Sequence, residues 1–183
     1  MNELRTDRLI LRRWRADDAA PFAAMNADPR VMEHFPAPLD RDASDALVER
    51  IEQSFDASGY GLWALERRAD GAFLGFAGLL DVGFDAPFGP ALEVGWRLAA
   101  EAWGHGYATE AGRASLVHAF DVIGAAEVVS FTAVVNLPSQ RVMQRLGMTH
   151  DPTDDFEHPL IAAGDPLRPH VLYRVRAAGW PRA

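Results

Sequence analysis

Two residue types are missing from the 183-residue chain: it contains no cysteine and no lysine. The absence of cysteine excludes disulfides, thiolate metal sites and a cysteine nucleophile. The absence of lysine excludes the phosphate-binding lysine of a P-loop, a Schiff-base lysine and a lysine general base. All 18 basic residues are therefore arginines, and a phosphate site in this chain must rest on main-chain amides and a few arginines.

Long apolar runs are missing as well. No stretch approaches the roughly 20 residues that a membrane-spanning helix needs. The charged N-terminal sequence MNELRTDRLILRRW resembles neither a signal peptide nor a transit peptide, so we expect a cytoplasmic protein without membrane association. A net charge of −8 argues against nucleic-acid binding, which usually requires a basic surface, and it would attract a cationic substrate.

The remaining composition, 49% hydrophobic and 24% charged, is that of an ordinary globular chain. Its length fits a single domain over residues 1–183, with no internal repeat or linker. Periodicity and turn residues predict, in order, strand Thr6–Trp14, helices Asp17–Ala27 and Asp40–Ser58, strands Gly61–Arg67, Phe73–Val82 and Ala91–Leu98, helix Tyr107–Ile123, strand Glu127–Val135, helix Leu137–Leu146 and strand Val171–Arg176. This order predicts an α+β fold with a mixed sheet.

The most informative stretch is Leu92–Ala111, LEVGWRLAAEAWGHGYATEA. It predicts a strand, a loop in which Gly104 and Gly106 bracket His105, and the start of a helix. Glycines permit positive φ and a close approach of the backbone, so several N–H groups can converge at the positive end of the helix dipole. Such an arrangement is a binding site for a phosphate or pyrophosphate.

Other interpretations of this loop were compared by glycine spacing. A dinucleotide fold has its first glycine directly after the strand and a third glycine three residues past the second. Here residues 99–103 intervene, and Thr109 occupies the third position. A P-loop is excluded because its lysine is missing. Two glycines in an ordinary turn would be a sufficient explanation if the loop stood alone.

The loop does not stand alone. Residues 101–111, EAWGHGYATEA, are similar to the acyl-CoA pyrophosphate loop of the GNAT N-acetyltransferases, and Asn136–Ser139, followed later by Gly147, is similar to the N-x-x-S helix of that family. The first strand, TDRLILRRW, resembles the branch that includes the ribosomal-protein N-terminal acetyltransferases. Glu101 departs from the family pattern, in which Gln or Arg usually leads the loop. Because main-chain amides hold the pyrophosphate, we expect cofactor binding to survive this change.

The resemblance implies a GNAT-like fold, with a mixed and mostly antiparallel sheet, splayed central strands and about four helices. It also implies acetyl-CoA as the acyl donor, with the pantetheine arm between the strand before the loop and the strand after the loop's helix. The residues that it assigns to acetyl-CoA are Trp96, Arg97 and Leu98 through their main chain, the loop residues Trp103, Gly104, His105, Gly106, Tyr107, Ala108 and Thr109, and then Asn136, Ser139 and Arg145. Two of them have alternatives: Asn136 is also a candidate N-cap, and the alternative for Arg145 is a position on a solvated helix face.

Acetyl transfer to an amine needs a base, because an ammonium has no lone pair and its unperturbed pKa lies near 10. Strand alternation places Glu93, Gly95 and Arg97 on one face, and Glu93 is the candidate base, acting through water. The alternatives are an ion pair between Glu93 and an arginine, or plain solvation. The resemblance assigns proton donation to the leaving thiolate to Ser139, since no tyrosine follows it on the helix; a local bond to the backbone is the alternative.

The sequence gives fewer indications of the residues that bind the acceptor. His34, Phe35 and Trp63 are candidates for the substrate wall on position alone, and no metal is predicted because the histidines and acidic residues lack ligand spacing. The leading hypothesis is an acetyl-CoA-dependent N-acetyltransferase, a monomer or homodimer, that acts on a small amine or a protein N-terminus by direct attack. The alternatives are a non-catalytic acyl-CoA-binding regulatory module on the same fold and, more remotely, a nucleotide-binding oxidoreductase.

Overall fold

Alternating apolar side chains build one nine-stranded sheet in the computed structural model, which describes residues 3–181. The strands are β1 (Glu3–Arg5), β2 (Leu9–Arg12), β3 (Leu62–Arg67), β4 (Phe73–Asp81), β5 (Leu92–Leu98), β6 (Glu127–Ala133), β7 (Thr149–His150), β8 (Phe156–Glu157) and β9 (Pro169–Arg176). Their order in the sheet is β1-β2-β3-β4-β5-β6-β9-β7, and β8 pairs with β9. Only β5 and β6 run parallel within residues 3–181; the other neighbours are antiparallel.

Four α-helices accompany the sheet in this part of the chain: α1 (Ala19–Ala27), α2 (Arg41–Ser58), α3 (Tyr107–His118) and α4 (Leu137–Arg145). Asp40 caps α2 by accepting a hydrogen bond from the Ala43 amide at 2.8 Å, and Gly59 ends α2 with a φ of 78°. The predicted α+β class, with a mixed and mostly antiparallel sheet and about four helices, is confirmed. No helix within residues 3–181 is both long and apolar enough to cross a membrane.

One predicted boundary is wrong. The predicted first strand Thr6–Trp14 is shorter, covering Leu9–Arg12 as β2. Residues 6–8 form a turn, closed by the Thr6 amide donating to the Leu9 carbonyl, that connects β2 to the preceding β1. The predicted helix Tyr107–Ile123 is confirmed in extent: α3 ends at His118, and a π-helical turn at Ala119–Ile123 continues it. The remaining predicted elements agree with the structure within two residues at each end.

The two faces of the sheet are covered differently. On one face, α2 and α3 pack over buried residues such as Trp63, Leu79 and Val94 to form the main core. On the opposite face, α1 contributes Phe22 and Met25 to a smaller cluster around Phe76 of β4. Strand alternation places Glu93, Gly95 and Arg97 of β5 on this second face, beside α1 and away from the main core.

The centre of the sheet opens between β5 and β6. These strands are paired at one position within residues 3–181, Glu93 with Val129, and no further register pair follows toward their carboxyl ends. The predicted splay of the central strands is therefore confirmed. Because α3 follows β5 and α4 follows β6, both helices begin at the open end of the gap.

Candidate active site

The loop between β5 and α3 exposes a row of main-chain donors. Gly104 and Gly106 have φ values of 78° and 81°, in the left-handed region that favours glycine, and Gly106 is the N-cap of α3. Within the described chain, the amides of residues 104–109 donate no hydrogen bond to backbone or side-chain acceptors. These amides lie at the positive end of the α3 dipole, where an anion is stabilised.

Arg8 and Glu110 tie this loop to the β1–β2 turn. The Arg8 guanidinium donates from Nε to Glu110 Oε2 at 2.7 Å and from Nη1 to the His105 carbonyl at 2.9 Å. Glu110 also accepts from the Thr6 hydroxyl at 2.6 Å. Burial alone would raise the pKa of Glu110, but the bonds from Thr6 and Arg8 prevail and lower it. A charged network therefore holds the first turn of α3 in place.

The other predicted loop residues differ in exposure. Trp103 is 49% exposed, and its indole Nε1 donates to the Leu98 carbonyl at 2.9 Å. His105 is exposed, whereas Tyr107 is buried and lies under the Arg8 guanidinium, 4.8 Å from its ring centre. Ala108 and Thr109 are half-buried in the first turn of α3.

Asn136 organises the start of α4. Its Oδ1 accepts from the Ser139 amide at 3.3 Å, while its Nδ2 donates to Thr132 Oγ1 at 2.9 Å and to Ser139 Oγ at 3.2 Å. The predicted N-cap is thus present and also joins α4 to the end of β6. Because Ser139 Oγ accepts a bond from Asn136, its own hydroxyl proton remains available for another acceptor.

Glu93 has no counter-ion among residues 3–181. Its partly buried carboxylate forms no hydrogen bond or ion pair with any residue in the described range, so the predicted alternative of a pair with arginine is absent from this structure. Burial raises the pKa of Glu93 to about 8, and no charged neighbour contributes to the shift. Its Oε1 lies 3.7 Å from where a Cβ of Gly95 would be, and Leu80 Cδ2 lies 3.8 Å from the same point, so the carboxylate lies beside a glycine and an apolar side chain.

Arg97 lies on the same face as Glu93, beneath the connection between α1 and α2. Its guanidinium packs 4.0 Å from the ring centre of Phe35 and donates from Nη1 to Asn26 Oδ1 at 2.7 Å. The structure therefore brings Phe35, a predicted wall residue, to the strand that carries Glu93. The neighbouring His34 is half-buried, and its Nδ1 is enclosed without a hydrogen-bond partner.

The third predicted wall residue is placed elsewhere. Trp63 is 0% exposed and packs in the main core, with ring centres 5.3 Å from both Phe55 and His118. It lies on the opposite sheet face from Glu93 and Arg97, so its assignment to the substrate wall is wrong. Of the residues assigned to acetyl-CoA, Arg145 is exposed in the last turn of α4.

The main chain of β5 has a free edge beside the gap. Trp96 and Arg97 pair with Ala77 and Phe76 of β4 on one side. On the other side β6 provides no register partner after Glu93 in the described chain. Alternate amides and carbonyls between Gly95 and Leu98 can therefore bind an extended ligand arm by main-chain hydrogen bonds.

These features fit acetyl-CoA: free amides for its diphosphate and an open strand edge for its pantetheine arm. They do not resemble a metal centre, since no group of three or more histidine, aspartate or glutamate residues in the described range could hold an ion.

Sequence reasoning missed Arg8 and Glu110. They lie 102 residues apart, and no local pattern relates them.

Comparison with known proteins adds independent support. Residues 8–149 match the model of the acetyltransferase (GNAT) domain. The chain is 30% identical over 152 residues to the protein YkkB of Bacillus subtilis (strain 168), covering 82% of this chain and 87% of that protein. It is 32% identical over 171 residues to FsC-acetyl coenzyme A-N(2)-transacetylase of Aspergillus fumigatus, covering 86% of this chain and 69% of the relative.

A solved structure shares nearly the whole architecture. The acetyltransferase from Agrobacterium tumefaciens str. C58 matches with a TM-score of 0.77 at 27% identity, covering 96% of this chain and 95% of that one. The family match includes both the amide-rich loop before α3 and the capped start of α4. The protein is therefore a member of the GNAT acetyltransferase family and an N-acetyltransferase.

Proposed function

We propose that this protein transfers the acetyl group of acetyl-CoA to a primary amine by direct attack, without an acyl-enzyme. The observation that carries the proposal is the unpaired carboxylate of Glu93 at the point where β5 and β6 separate. The name of the similar Aspergillus enzyme describes transfer from acetyl coenzyme A to an N(2) position, which supports a nitrogen acceptor here. The acceptor is a small amine or a protein N-terminus.

Binding of acetyl-CoA would rest mainly on the backbone. The amides of residues 104–109 would hold the diphosphate, and the free edge of β5 at Trp96–Leu98 would pair with the pantetheine arm. Bound there, acetyl-CoA supplies an activated thioester. A main-chain N–H of the same edge would stabilise the charge that develops on the thioester oxygen.

Glu93 is the base in this proposal. An amine with a pKa near 10 is largely protonated at neutral pH, and a carboxylate whose pKa is about 8 accepts its proton far better than an ordinary one. Because the efficiency of a general base follows its pKa, the burial of Glu93 suits it to this role. Water between Glu93 and the amine would relay the proton.

Ser139 is the proton donor for the departing sulfur. Its hydroxyl stands in the first turn of α4, at the open end of the gap, and its oxygen is oriented by Asn136. That bond leaves the hydroxyl proton free. Proximity in one cleft supplies much of the remaining rate acceleration.

A thiol-release assay tests the proposal. Acetyl-CoA is incubated with the enzyme and a panel of small amines and N-terminal peptides, and products are identified by mass. We expect thiol release that depends on the amine, with one acetyl group added to it, and no acetylated protein when acetyl-CoA is given alone. Tight binding of acetyl-CoA without release on any amine would instead indicate the regulatory module, and an acetylated protein would contradict direct attack.

A further inference from the structure

Arg97 lies on the acceptor side of the sheet, and no residue between positions 3 and 181 provides it with a counter-ion. No carboxylate forms an ion pair with it in the part of the chain that the structure describes. Its Nε is enclosed and has no hydrogen-bond partner. Burial lowers the pKa of Arg97 to about 10, with no charged neighbour opposing the shift. An enclosed charge of this kind is costly unless something supplies the opposite charge.

The surroundings hold the guanidinium in one position. Its Nη1 donates to Asn26 Oδ1 at 2.7 Å, and Asn26, itself fully buried, donates from Nδ2 to Ser44 Oγ at 3.1 Å. The ring centres of Phe35 and Phe76 lie 4.0 Å and 5.4 Å from its Cζ. These contacts orient the guanidinium without neutralising it, which is how a binding site for an anion is preorganised.

Arg97 and Glu93 share one strand face, and the position between them is open. They lie four positions apart on β5, so their Cα atoms are about 13 Å apart. Gly95, between them, carries no side chain, and a Cβ there would meet nothing closer than 3.7 Å. The strand face between the two charged groups therefore leaves room for an acceptor beside Gly95.

We infer that the acceptor carries a carboxylate as well as its primary amine, and that Arg97 binds this carboxylate while the amine lies at Glu93. The inference rests on the proposed function and narrows its substrate class to amino acids in the broad sense, free or at the end of a peptide. A planar guanidinium matches a carboxylate in shape and charge, whereas an acceptor with only a cationic end would be repelled. Arg97 is thereby a residue that determines specificity.

Matched pairs of acceptors test this. A series of ω-amino acids, from glycine to 8-aminooctanoate, is compared with alkylamines of equal length by kcat/KM. We expect one or more of the amino acids to be preferred by about 10-fold or more, the usual effect of a hydrogen bond to a charged group. In Arg97→Gln the ratio of kcat/KM for the amino acid to that for its matched alkylamine should fall toward one, through KM and not kcat.

A second variant tests the same inference if Arg97→Gln fails to fold. Asn26→Asp places a carboxylate at the atom that already contacts Nη1, so Arg97 would gain an internal partner and the preference for amino acids should again fall toward one. The inference is overturned if the wild type uses alkylamines as well as amino acids throughout the series. It is equally overturned if Arg97→Gln weakens both classes alike.

Binding measured without turnover separates this inference from the proposed function. Calorimetric titration with 6-aminohexanoate and with hexylamine, each in the presence of coenzyme A, gives affinities even if no acetyl group is transferred. Binding of the amino acid that depends on Arg97, with no transfer to any amine, would refute the proposed function and keep Arg97 as a binding site for a carboxylate. Transfer to amines without any preference for a carboxylate would do the reverse.

Discussion

Two arginines stand at opposite ends of one row of residues that crosses four strands. Register pairs connect Arg12 to Ala64, Ala64 to Phe76 and Phe76 to Arg97. At one end, Arg12 donates to Asp18 at 2.7 Å and to Glu66 at 2.6 Å, and all three side chains are largely buried. At the other end, Arg97 has aromatic rings and an amide but no carboxylate.

The difference separates charges that maintain the fold from charges that are available to a ligand. The hydrogen bonds and charges of Asp18 and Glu66 outweigh the effect of burial and raise the pKa of Arg12 beyond its usual range, whereas burial alone lowers that of Arg97. Glu93 belongs with Arg97, since its carboxylate is also unpaired. On this sheet face the compensated ions lie at the β2 end and the uncompensated ones beside the gap between β5 and β6.

A substitution at Arg12 gives the largest expected difference between the two arginines. Replacing Arg12 by Met leaves Asp18 as a buried carboxylate without an ion-pair partner and leaves Glu66 with Arg15 alone, and removal of one partner from a buried ion pair typically costs about 3–5 kcal/mol. We expect a loss of that size in the free energy of unfolding, measured by urea denaturation at pH 7. Arg97→Met has no carboxylate to leave unpaired and should cost far less.

Arg41→Met is the matched control for this measurement. Arg41 pairs with Asp45 four residues along the exposed surface of α2, and such pairs are worth about 0.3–0.5 kcal/mol. If Arg12→Met and Arg97→Met destabilise the protein equally, the distinction between compensated and uncompensated arginines fails.

Glu93→Gln should lower activity and raise stability together. Removing the base should reduce kcat/KM by about 100-fold or more, and the wild-type rise of kcat/KM with pH, with an apparent pKa of about 8, should disappear. The raised pKa means that the folded state binds more protons than the unfolded state between pH 4.5 and 8. The stability contribution of Glu93 is therefore fully present below pH 4.5 and is lost as pH rises through 8.

For Glu93→Gln, the direction of the stability change is a more decisive measurement than the loss of activity. Above pH 8 the wild type carries a buried, unpaired charge, so Glu93→Gln should have the higher melting temperature there and lose this advantage toward pH 4.5. Glu49→Gln, an exposed carboxylate on α2, should change neither the pH profile nor the melting temperature. If a variant at Glu93 keeps full activity, Glu93 is not the catalytic base.

A substitution at Gly104 tests whether main-chain amides of the loop bind acetyl-CoA. Gly104 and Gly59 both have a φ of 78°, and a Cβ at either position would meet no atom within 4 Å. Changing either to Ala should cost similar strain, about 1–2 kcal/mol in the left-handed region. Only Gly104→Ala should weaken acetyl-CoA binding, by about 10-fold in calorimetry, because it alone disturbs the free amides. Equal affinity in the two variants would argue against the amide site.

Local chemistry explains what could be predicted from the sequence. The strand, the glycine loop and the capped helix at Asn136 were predictable because periodicity, positive φ and N-capping act within a few residues. The fold class followed from the order of these elements. The family resemblance added the splay between β5 and β6, which no periodicity reveals.

Long-range packing explains the rest. Alternation places Trp63 on one face of β3, but only the packing of α2 and α3 decides that this face is the core and not the substrate wall. The network of Arg8 and Glu110 joins residues 102 positions apart, and the row from Arg12 to Arg97 depends on the register of three strand pairs. Side-chain spacing along the chain carries none of this information.

Ser139→Ala should have the smallest effect of these substitutions. It tests the proposed proton donor at the open end of the gap between β5 and β6. A thiol has an ordinary pKa near 8.5 and leaves readily as a thiolate, so the donor contributes less than the base. We expect Ser139→Ala to lower kcat by about 10-fold or less with little change in KM. Ser139→Thr keeps the hydroxyl and should retain most of the rate. If Ser139→Ala is as fast as the wild type, the hydroxyl serves only the local hydrogen bond from Asn136, and solvent protonates the sulfur.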